Sequence, residues 1–251
     1  MIKINNRITE NYRIGYRDTF YKKQANIVSI INYFSEIAQL AGSYYDRERD
    51  ILKDESIAWI ILNWDIEVLK YPKYGETIQV HTIAHSIDRF IAYREFLIYD
   101  ANAQLITKAK SKWILFNVEK RRPTAARDYM YDLYGVKTAE PPFEITNPQK
   151  LEGNEETIIK KFDIRKSDVD YYDHVNNAIY PLWIYESISE EFTGQNAVKH
   201  MNLYYKKEIT FGEAVYVHTN KTGAFSFSHE IKNKSGKTLL LAESVWDKAL
   251  K

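Results

Sequence analysis

Cysteine is absent from this chain of 251 residues. The protein therefore has no disulfide bond, no thiolate nucleophile and no thiolate-bound metal site. Long apolar runs are also missing, since none approaches the roughly 20 residues that cross a membrane. The polar start, MIKINNRITENYRIGYRD, lacks the apolar core of a secretory signal. Together these absences favour a cytoplasmic protein, because disulfides belong to oxidising compartments.

An excess of either charge is missing as well. The 35 basic and 34 acidic residues give a net charge of +1, which does not indicate nucleic-acid binding. Glycine and proline are few, at 9 and 6 residues, whereas hydrophobic residues make up 45% of the chain. This composition supplies a full core and excludes a disordered chain. The 20 tyrosines favour half-buried β-strands.

The two halves of the chain repeat one another. The stretch YGETIQVHT at residues 74–82 returns as FGEAVYVHT at 211–219, an offset of 137 (212 − 75 for its glycine). The stretch RDTFYKKQAN at 17–26 returns as SDVDYYDHVN at 167–176, an offset of 150 (176 − 26). Trp113 returns as Trp246, an offset of 133 (246 − 113). Because three matches keep their order while the offset drifts, we infer a duplicated fold.

Each copy begins with a helical pattern and continues with strands. In ANIVSIINYFSEIAQLAG, apolar residues recur at helical spacing and Gly42 is a plausible stop. Alternating runs such as TIQVHTIAHS and AVYVHTNKTG then predict antiparallel strands. We therefore predict an α+β fold of two antiparallel sheets, each wrapped around a long helix. The halves would be residues 1–126 and 157–251, joined by a connector at 127–156.

Several of these stretches resemble a known family. In the second half, SDVDYYDHVNNAIYPLWIYES fits the pattern DxDxxxHVNNxxYxxWxxE, and YKKEITFGEAV supplies Glu208 downstream. In the first half, NWDIEVLKYPKYGETIQVHT and SKWILFNVEKRRP extend the likeness over nearly the whole chain. The chain thus resembles the acyl-ACP thioesterases, which are tandem hotdog proteins. The resemblance implies hydrolysis of fatty acyl-ACP to a free fatty acid and acyl carrier protein (ACP), with no cofactor or metal.

The resemblance assigns catalytic roles to four residues of the second half. They are Asp170, Tyr172, His174 and Glu208. Glu208 or Asp170 would activate a water molecule and His174 would orient it, with Glu208 expected as a buried carboxylate on an alternating strand. Tyr172 stands where the family usually has asparagine. Ile209 stands where plant members carry cysteine, which excludes a cysteine mechanism here.

A helix N-terminus beside these residues could bind the thioester carbonyl. Because Pro181 is tolerated only in a first helical turn, the helix should begin no earlier than about Asn177. Asn176 or Asn177 would then be its N-cap. The amides of Asn176, Asn177 and Ala178 would lie at the positive end of the helix dipole and stabilise an oxyanion.

A plainer interpretation of this region is a helix cap with charged surroundings. His174 would then be a satisfied polar residue at the helix entrance, and Glu208 an exposed partner of Lys206 or Lys207. Asp168 and Asp173 are interpreted as surface or capping charges under either hypothesis.

The first half offers an internal control. By the offsets above, Phe20, Lys22, Gln24 and Tyr71 stand opposite Asp170, Tyr172, His174 and Glu208. No catalytic acid, carboxylate base or histidine survives there, so we predict a single catalytic site in the second half. The apolar stripe of the first helix, Ile27, Ile30, Ile31 and Phe34, would line an acyl tunnel or simply form core.

Basic residues follow one strand of the first half. Lys108, Lys110 and Lys112 alternate and therefore share a face, and Arg121 and Arg122 follow soon after. They form either a charged sheet edge that resists aggregation or a docking patch for ACP, whose surface is acidic in the family context. His81 and His85 are four residues apart, but their strand-like context excludes a helical metal pair.

Three rival functions stay open from the sequence. The same chemistry could act on acyl-CoA, the chain could bind acyl groups without turnover, or it could be a hotdog dehydratase. The dehydratase fits the motif less well than the thioesterases do. Acyl chain length is not readable from the sequence, and both a monomer and a homodimer are compatible with it.

Overall fold

The computed structural model describes residues 2–4, 6–20, 23–46, 56–136, 141–170 and 173–250. The strands of the first half are β1 (Ile2–Ile4), β2 (Arg7–Arg13), β3 (Ile57–Val68), β4 (Thr77–Asp88), β5 (Ile91–Tyr99), β6 (Leu105–Asn117) and β7 (Arg122–Pro123). Those of the second half are β8 (Ile158–Asp163), β9 (Ala197–Tyr205), β10 (Ala214–Gly223), β11 (Ser226–Asn233) and β12 (Thr238–Asp247). The described helices are α1 (Ile27–Asp46), α2 (Asp128–Tyr134), α3 (Ile179–Ser187) and α4 (Glu190–Gln195). None of these helices combines the length and apolar character needed to cross a membrane.

The described strands join one antiparallel sheet rather than two. Its order is β1-β2-β4-β5-β6-β3-β9-β12-β11-β10-β8, with β7 paired to β6. The runs β2-β4-β5-β6-β3 and β8-β10-β11-β12-β9 have the same order, which confirms the duplication inferred from the sequence. The prediction of two separate sheets is wrong because β3 and β9, the inner edge of each half, pair with each other. That pairing satisfies the N–H and C=O groups that two open edges would expose.

The seam between the halves is nearly two-fold symmetric. Residue pairs from Asn63 with Tyr204 to Glu67 with His200 form it. The offset of 137 maps Asp65 onto Asn202 (202 − 65), and these two residues pair with each other at its centre. The same offset maps Asn63 onto His200 and Glu67 onto Tyr204 (200 − 63; 204 − 67), so the first pair of the seam is the two-fold counterpart of the last, as in a symmetric dimer interface.

Helix α1 lies under the first-half strands and begins where the sequence predicts. Asn26 caps it, since its Oδ1 accepts hydrogen bonds from the amides of Val28 at 2.8 Å and Ser29 at 3.1 Å. The helix continues to Asp46 rather than stopping at Gly42. Glycine inside a helix costs only about 1 kcal/mol relative to alanine, which the burial of this helix easily offsets.

Helix α3 is much shorter than α1. It has 9 residues where α1 has 20, so the prediction of a long helix in each half is wrong for the second half. The chain leaves the helix at Ile188, which is extended. Just before it, the Ser187 hydroxyl donates to the Ile184 carbonyl at 2.7 Å and contacts the Thr219 hydroxyl at 2.8 Å. A contact with β10 thus holds the last helical residue at this end.

An aromatic cluster fills the space between α1 and the first-half strands. The Phe34 ring lies 5.7 Å from Trp64 and 5.1 Å from Phe96, and Trp64 lies 4.9 Å from Phe96 (centroid distances). All three side chains are fully buried. Such pairs add about 0.5–1.5 kcal/mol each beyond the burial of their area, so this cluster anchors α1 to the sheet.

The segment predicted as a connector crosses the outer face of the sheet from one half to the other. Ile145 O accepts a hydrogen bond from Lys112 of β6, and the Asn147 side chain accepts one from Asn63 of β3. In the second half, Thr146 O accepts from Asn202 of β9 and Glu152 O accepts from Asn220 of β10. Its first part is α2, whose Met130 and Tyr134 are buried in the core. The Tyr134 hydroxyl accepts a hydrogen bond from Trp59 Nε1 at 3.0 Å.

The seam contains a titratable pair. His200 Nε2 on β9 lies 2.5 Å from Asp65 Oδ1 on β3, so the pair links the two halves. The hydrogen bond to Asp65 and the nearby carboxylates of Asp65, Glu67 and Glu243 raise the pKa of His200, against the opposing effect of burial.

We expect this pair to make stability fall as the pH rises. A histidine whose folded pKa is raised contributes its full stabilisation below the unfolded value, about 6.5, and loses it as the pH rises through the folded pKa. Urea unfolding of the wild type and of His200→Asn from pH 5.5 to 8.5 measures the difference between their free energies of unfolding. The wild type should be the more stable of the two at low pH, and this difference should shrink above about pH 6.5. A pH-independent difference would show that the pair does not stabilise the seam through charge.

Candidate active site

The two halves build the same backbone frame around the candidate residues. In the first half Ala25 N donates to Pro72 O at 2.9 Å, and in the second Val175 N donates to Ile209 O at 2.9 Å. These contacts keep the sequence offsets of 150 and 137 (175 − 25; 209 − 72). His174 therefore stands opposite Gln24, and Glu208 opposite Tyr71, in agreement with the correspondence drawn from the sequence.

The symmetry of the seam places the two frames at opposite ends of the sheet. β9 ends at Tyr205, just past its pairing with Asn63, and Glu208 follows on the side toward which β3 begins. We call this the site end of the sheet. The first-half frame lies where β3 ends at Val68 and β9 begins at Ala197, since Tyr71 donates its hydroxyl to Val198 O at 2.8 Å.

At the site end His174 and Glu208 form a pair. His174 Nε2 lies 3.3 Å from Glu208 Oε2, and the side chains are 38% and 41% exposed. The prediction that Glu208 is buried on a strand is wrong, because β9 ends at Tyr205. The amides of Lys206 and Lys207 both donate to Leu239 O, at 2.8 and 3.2 Å, which turns the chain out of the strand before Glu208. The turn places the carboxylate at the rim of the sheet, within reach of water.

Asp170 and His174 lie in one tight loop. Asp170 N donates to His174 O at 2.9 Å, and Asp173 N donates to Asp170 O at 3.1 Å. Asp173 adopts a left-handed conformation with a φ of 63°, which closes the loop. Tyr172, the remaining predicted catalytic residue, lies outside the described residues. The loop thus brings Asp170 next to the histidine of the His174–Glu208 pair.

Asp168 holds the base of this loop from inside the protein. Its side chain is only 1% exposed and accepts hydrogen bonds from Arg165 N at 2.9 Å and Arg165 Nε at 3.0 Å. Its repeat counterpart Asp18 accepts from Gly15 N at 2.7 Å in the same way. Asp168 is therefore a buried capping residue, which is the second of the two roles predicted for it rather than the surface role.

The start of α3 lies one or two residues later than predicted. Ala178 is its N-cap, whereas the Asn176 side chain accepts from Ala178 N at 2.9 Å and its carbonyl accepts from Ile179 N at 2.9 Å. The Ala178 amide is therefore already occupied. Within the described part of the chain, no group accepts a hydrogen bond from the amide of Asn177. Among the three predicted oxyanion residues, Asn177 is thus best suited to donate to a substrate.

Asn177 is held by groups from two elements, and a third supports one of those groups. Its side chain contacts the Ser35 hydroxyl of α1 at 3.2 Å, and its carbonyl accepts a hydrogen bond from the buried Tyr205 hydroxyl of β9 at 2.9 Å. The Tyr205 ring in turn lies 5.2 Å from the ring of Tyr180 on α3. These contacts fix the Asn177 side chain and the peptide that follows it, while the peptide that carries the Asn177 amide is held by the hydrogen bond from Ile179 N to Asn176 O.

Tyr180 is a functional candidate that the sequence analysis did not single out. It is 3% exposed, and burial followed by the negative charges of Glu208 and Asp170 raises its pKa well above the usual value, against a hydrogen bond with the Ile209 backbone. Its hydroxyl therefore stays protonated beside both carboxylates. Its place in the motif, six residues after His174, is the sequence signal that could have found it.

The described residues of the first-half frame include no counterpart of the His174–Glu208 pair. A cleft is present there, lined among others by Phe20, Gln24, Tyr71 and Tyr185. Gln24 Nε2 donates to Leu250 O at 3.1 Å, so Leu250 lies against it. Lys22 is outside the described residues. Without a carboxylate or histidine, this lining has no general base.

The predicted acyl-tunnel residues lie in the first-half core. Ile27, Ile30, Ile31 and Phe34 are all at most 1% exposed. Phe34 belongs to the aromatic cluster with Trp64 and Phe96, and Ile27 also lines the first-half cleft. Their role in holding an acyl chain stays a prediction.

The predicted basic patch is divided by the structure. Lys108 pairs with Glu67 at 2.7 Å, Lys110 lies 5.3 Å above the Phe143 ring, and Lys112 donates to Ile145 O at 3.1 Å. Burial lowers the pKa of Lys112. Two of the three lysines are thus engaged by the connector. Arg121 and Arg122 are exposed at the turn between β6 and β7.

The two histidines of β4 lie apart from this site. His81 Nδ1 contacts the Thr9 hydroxyl at 2.8 Å, and His85 Nε2 lies 3.4 Å from Glu95. Among the described residues, no group of three or more His, Asp or Glu side chains is arranged to hold a metal ion.

Family models match both halves of the chain. Residues 5–134 match the model described as the acyl-ACP thioesterase N-terminal domain, and residues 151–248 match the acyl-ACP thioesterase C-terminal domain. The two matches together cover most of the 251 residues.

Curated relatives and solved structures agree with these matches. The chain is 28% identical over 218 residues to oleoyl-acyl carrier protein thioesterase 2 of Arabidopsis thaliana, which covers 80% of the chain and 58% of the relative. It is 24% identical to the palmitoyl-acyl carrier protein thioesterase of Cuphea hookeriana, covering 94% of the chain and 61% of the relative. The chain thus spans about three-fifths of the length of these relatives. The solved 12:0-ACP thioesterase of Umbellularia californica superposes with a TM-score of 0.86 at 20% identity, covering 98% and 99% of the two chains, which shows a shared fold.

We expect Tyr205→Phe to lower catalytic turnover, because it releases the carbonyl of Asn177. The matched control is Tyr71→Phe, which removes an equivalent buried hydroxyl-to-carbonyl hydrogen bond at the opposite end of the sheet. Both variants should lose about 1 kcal/mol of stability. Tested for the thioester hydrolysis that we propose, only Tyr205→Phe should lower kcat, by roughly 10-fold, through misplacement of the amide. Equal kcat values for the two variants would show that the Tyr205 contact does not position the site.

Proposed function

Because the chain belongs to the acyl-ACP thioesterase family, we propose that it hydrolyses the thioester of fatty acyl-ACP. The products would be a free fatty acid and the carrier with its thiol restored. The observation that carries this proposal is the His174–Glu208 pair at the rim of the sheet, with Asp170 in the adjoining loop and the start of α3 beside it. An exposed ion pair contributes little to stability, so a structural role gives it little reason to exist.

Hydrolysis requires a base, an oriented water and an oxyanion site. We assign the base to Glu208, whose exposed carboxylate can contact water, and the orienting role to His174 at 3.3 Å. As Glu208 takes a proton, the water oxygen bonds to the carbonyl carbon and the C=O electron pair moves onto oxygen. The Asn177 amide at the start of α3 would donate to that oxyanion, helped by the positive end of the helix dipole.

The second step breaks the carbon–sulfur bond. The oxyanion re-forms the carbonyl, the thiolate of the carrier leaves, and the proton held by Glu208 is returned to the sulfur. Tyr180 supports both steps, because its protonated hydroxyl beside Glu208 and Asp170 adds no further negative charge to the site.

The division of the chain into two hotdog units is part of the same proposal. We interpret each half as a hotdog unit, with the strands β2-β4-β5-β6-β3 curved around α1 and β8-β10-β11-β12-β9 around α3. The units would span residues 1–126 and 157–251, with 127–156 connecting them. The apolar stripe of α1 would then form the wall against which the acyl chain lies.

The test is thiol release from a panel of acyl-ACP and acyl-CoA thioesters, read with a thiol-reactive dye. The protein contains 0 cysteines and therefore adds no background signal. We expect turnover of acyl-ACP, with kcat lowered about 10²- to 10⁴-fold by Glu208→Gln through loss of the general base.

Glu213→Gln is the matched control for this substitution. Glu213 is an exposed glutamate of the same segment, five residues further along the chain (213 − 208). Its variant should retain wild-type turnover. Hydrolysis of acyl-CoA without hydrolysis of acyl-ACP would show that the substrate is carried by coenzyme A rather than by ACP. If the folded wild type released no thiol from any thioester, hydrolysis would be refuted.

A further inference from the structure

The outer strand of the second half lacks a neighbour that its counterpart in the first half has. β2 and β8 are equivalent, since their pairings with β4 and β10 coincide once the repeat offsets of 150 and 137 are applied. In the first half, β1 pairs with residues 7–9 of β2. Among the described strands of the second half, only β10 pairs with β8. Residues 157–159, the counterparts of 7–9, therefore lie at an open edge of the sheet.

This open edge exposes two isoleucines. Ile8 of β2 is fully buried, whereas its counterpart Ile158 is 50% exposed, and Ile159 beside it is 58% exposed. Successive side chains of a strand point to opposite faces of the sheet, so the edge is apolar on both faces. Because an open edge also presents unpaired backbone N–H and C=O groups, such an edge favours pairing with a further strand.

Charged residues of opposite sign flank the isoleucines. Glu155 and Glu156 precede them, Lys160 and Lys161 follow them, and all four are exposed. The Asn154 side chain accepts a hydrogen bond from Glu156 N at 3.0 Å, which holds the acids in the turn before β8. The segment EETIIKK therefore has its acids at one end and its lysines at the other. When two copies of this segment run antiparallel, the acids of each copy meet the lysines of the other.

Lysines on an edge strand commonly oppose pairing, which is the plainer interpretation of this segment. Lys160 Nζ donates to Glu186 O near the end of α3 at 2.7 Å, and Lys161 Nζ lies 2.7 Å from Asp163. The Lys161 contact is an exposed ion pair, which contributes little stability and can be exchanged for another. A strand that only opposes pairing gains nothing from acids and exposed isoleucines beside its lysines. Their combination favours pairing of the segment with itself.

We propose that β8 pairs antiparallel with β8 of a second copy of this chain, with Ile158 opposite the partner's Ile158. The two-fold axis then passes through Ile158 normal to the sheet, and the sheet continues from one copy into the other. This register covers residues 157–159, the counterparts of those that β1 covers in the first half. The second copy thus supplies the strand that the second half lacks.

The charges select this register. It sets Glu156 opposite the partner's Lys160 and Glu155 opposite the partner's Lys161. A shift of one residue pairs side chains from opposite faces of the two sheets. A shift of two residues in one direction sets Glu155 opposite the partner's Asp163, and in the other direction it leaves both lysines opposite no acid.

Pairing of β8 with itself also gives a closed assembly. The other end of the sheet is β1, and pairing of β8 with β1 of another copy would repeat without limit as an open polymer. Self-pairing is two-fold and stops at the dimer. The contact is short, so we expect an interface below about 1,200 Å² that dissociates on dilution.

Sedimentation velocity over roughly a 100-fold range of concentration measures the dissociation constant of the dimer. The double variant Glu155→Lys/Glu156→Lys makes the segment basic at both ends. The double variant Lys160→Glu/Lys161→Glu makes it acidic at both ends. Each variant sets like charges opposite one another and should raise the dissociation constant of its own dimer by at least about 10-fold. An equimolar mixture of the two variants should dimerise again, because a basic segment then meets an acidic one.

The matched control is Lys234→Glu/Lys237→Glu, which makes the same change of net charge in the exposed turn between β11 and β12. It should keep the wild-type dissociation constant. Three results would overturn the inference: a wild type that is monomeric over the whole range, an equal loss of dimer in the control, and a mixture that associates no more than its two components. Because the mixture restores the dimer only if both variants are folded, misfolding cannot imitate the expected result.

Single cysteines test the register directly, because the chain has 0 cysteines of its own. Cα atoms directly opposite each other in antiparallel strands lie about 4.5–5.5 Å apart, within reach of a disulfide. Ile158→Cys should therefore form a disulfide-linked dimer on mild oxidation. In Lys160→Cys the two sulfurs would be four residue steps apart, roughly 13 Å, and no such dimer should form. Equal yields from the two variants, or a linked dimer from Lys160→Cys alone, would refute the register.

Discussion

The pairing of β3 with β9 is the contact on which the arrangement of this protein depends. Each half contains the same run of five strands with one open inner edge, and open edges expose unsatisfied backbone groups. Joining the two edges removes both and forces a two-fold relation about Asp65 and Asn202. That relation sends the two equivalent frames to opposite ends of the sheet. A single chain thus has two similar sites that are free to diverge.

The two sites differ in the side chains that equivalent backbone frames carry. At the first-half frame, Tyr71 is buried and donates to Val198, while Gln24 is tied to Leu250. At the second-half frame, His174 and Glu208 are more than a third exposed and face each other at 3.3 Å. One frame contributes buried contacts, and the other keeps charged groups at the surface where they add little stability. Such a distribution is expected when only one of two duplicated sites retains chemistry.

Local signals allowed much of this structure to be predicted. The repeat, the start of α1 and the antiparallel strands of each half follow from periodicity and internal likeness, but the order of those strands does not, since β3 pairs with β6 rather than with β4. The motif around His174 identified the loop that meets Glu208. The length of α3 was not predictable, because a contact between Ser187 and Thr219 ends it. The exposure of Glu208 follows from the double hydrogen bond to Leu239, and the single sheet follows from the seam. All three depend on residues distant in sequence, which local patterns do not report.

The central claim is that only the second half performs chemistry. The most direct measurement is kcat for fatty acyl-ACP in His174→Gln, which places in the second half the residue that the first half has at Gln24, with Gln24→Ala measured beside it. The account predicts a fall of about 10²- to 10⁴-fold in His174→Gln with an unchanged unfolding midpoint, and wild-type turnover in Gln24→Ala. Wild-type kcat in His174→Gln, or a comparable loss in Gln24→Ala without unfolding, would contradict it.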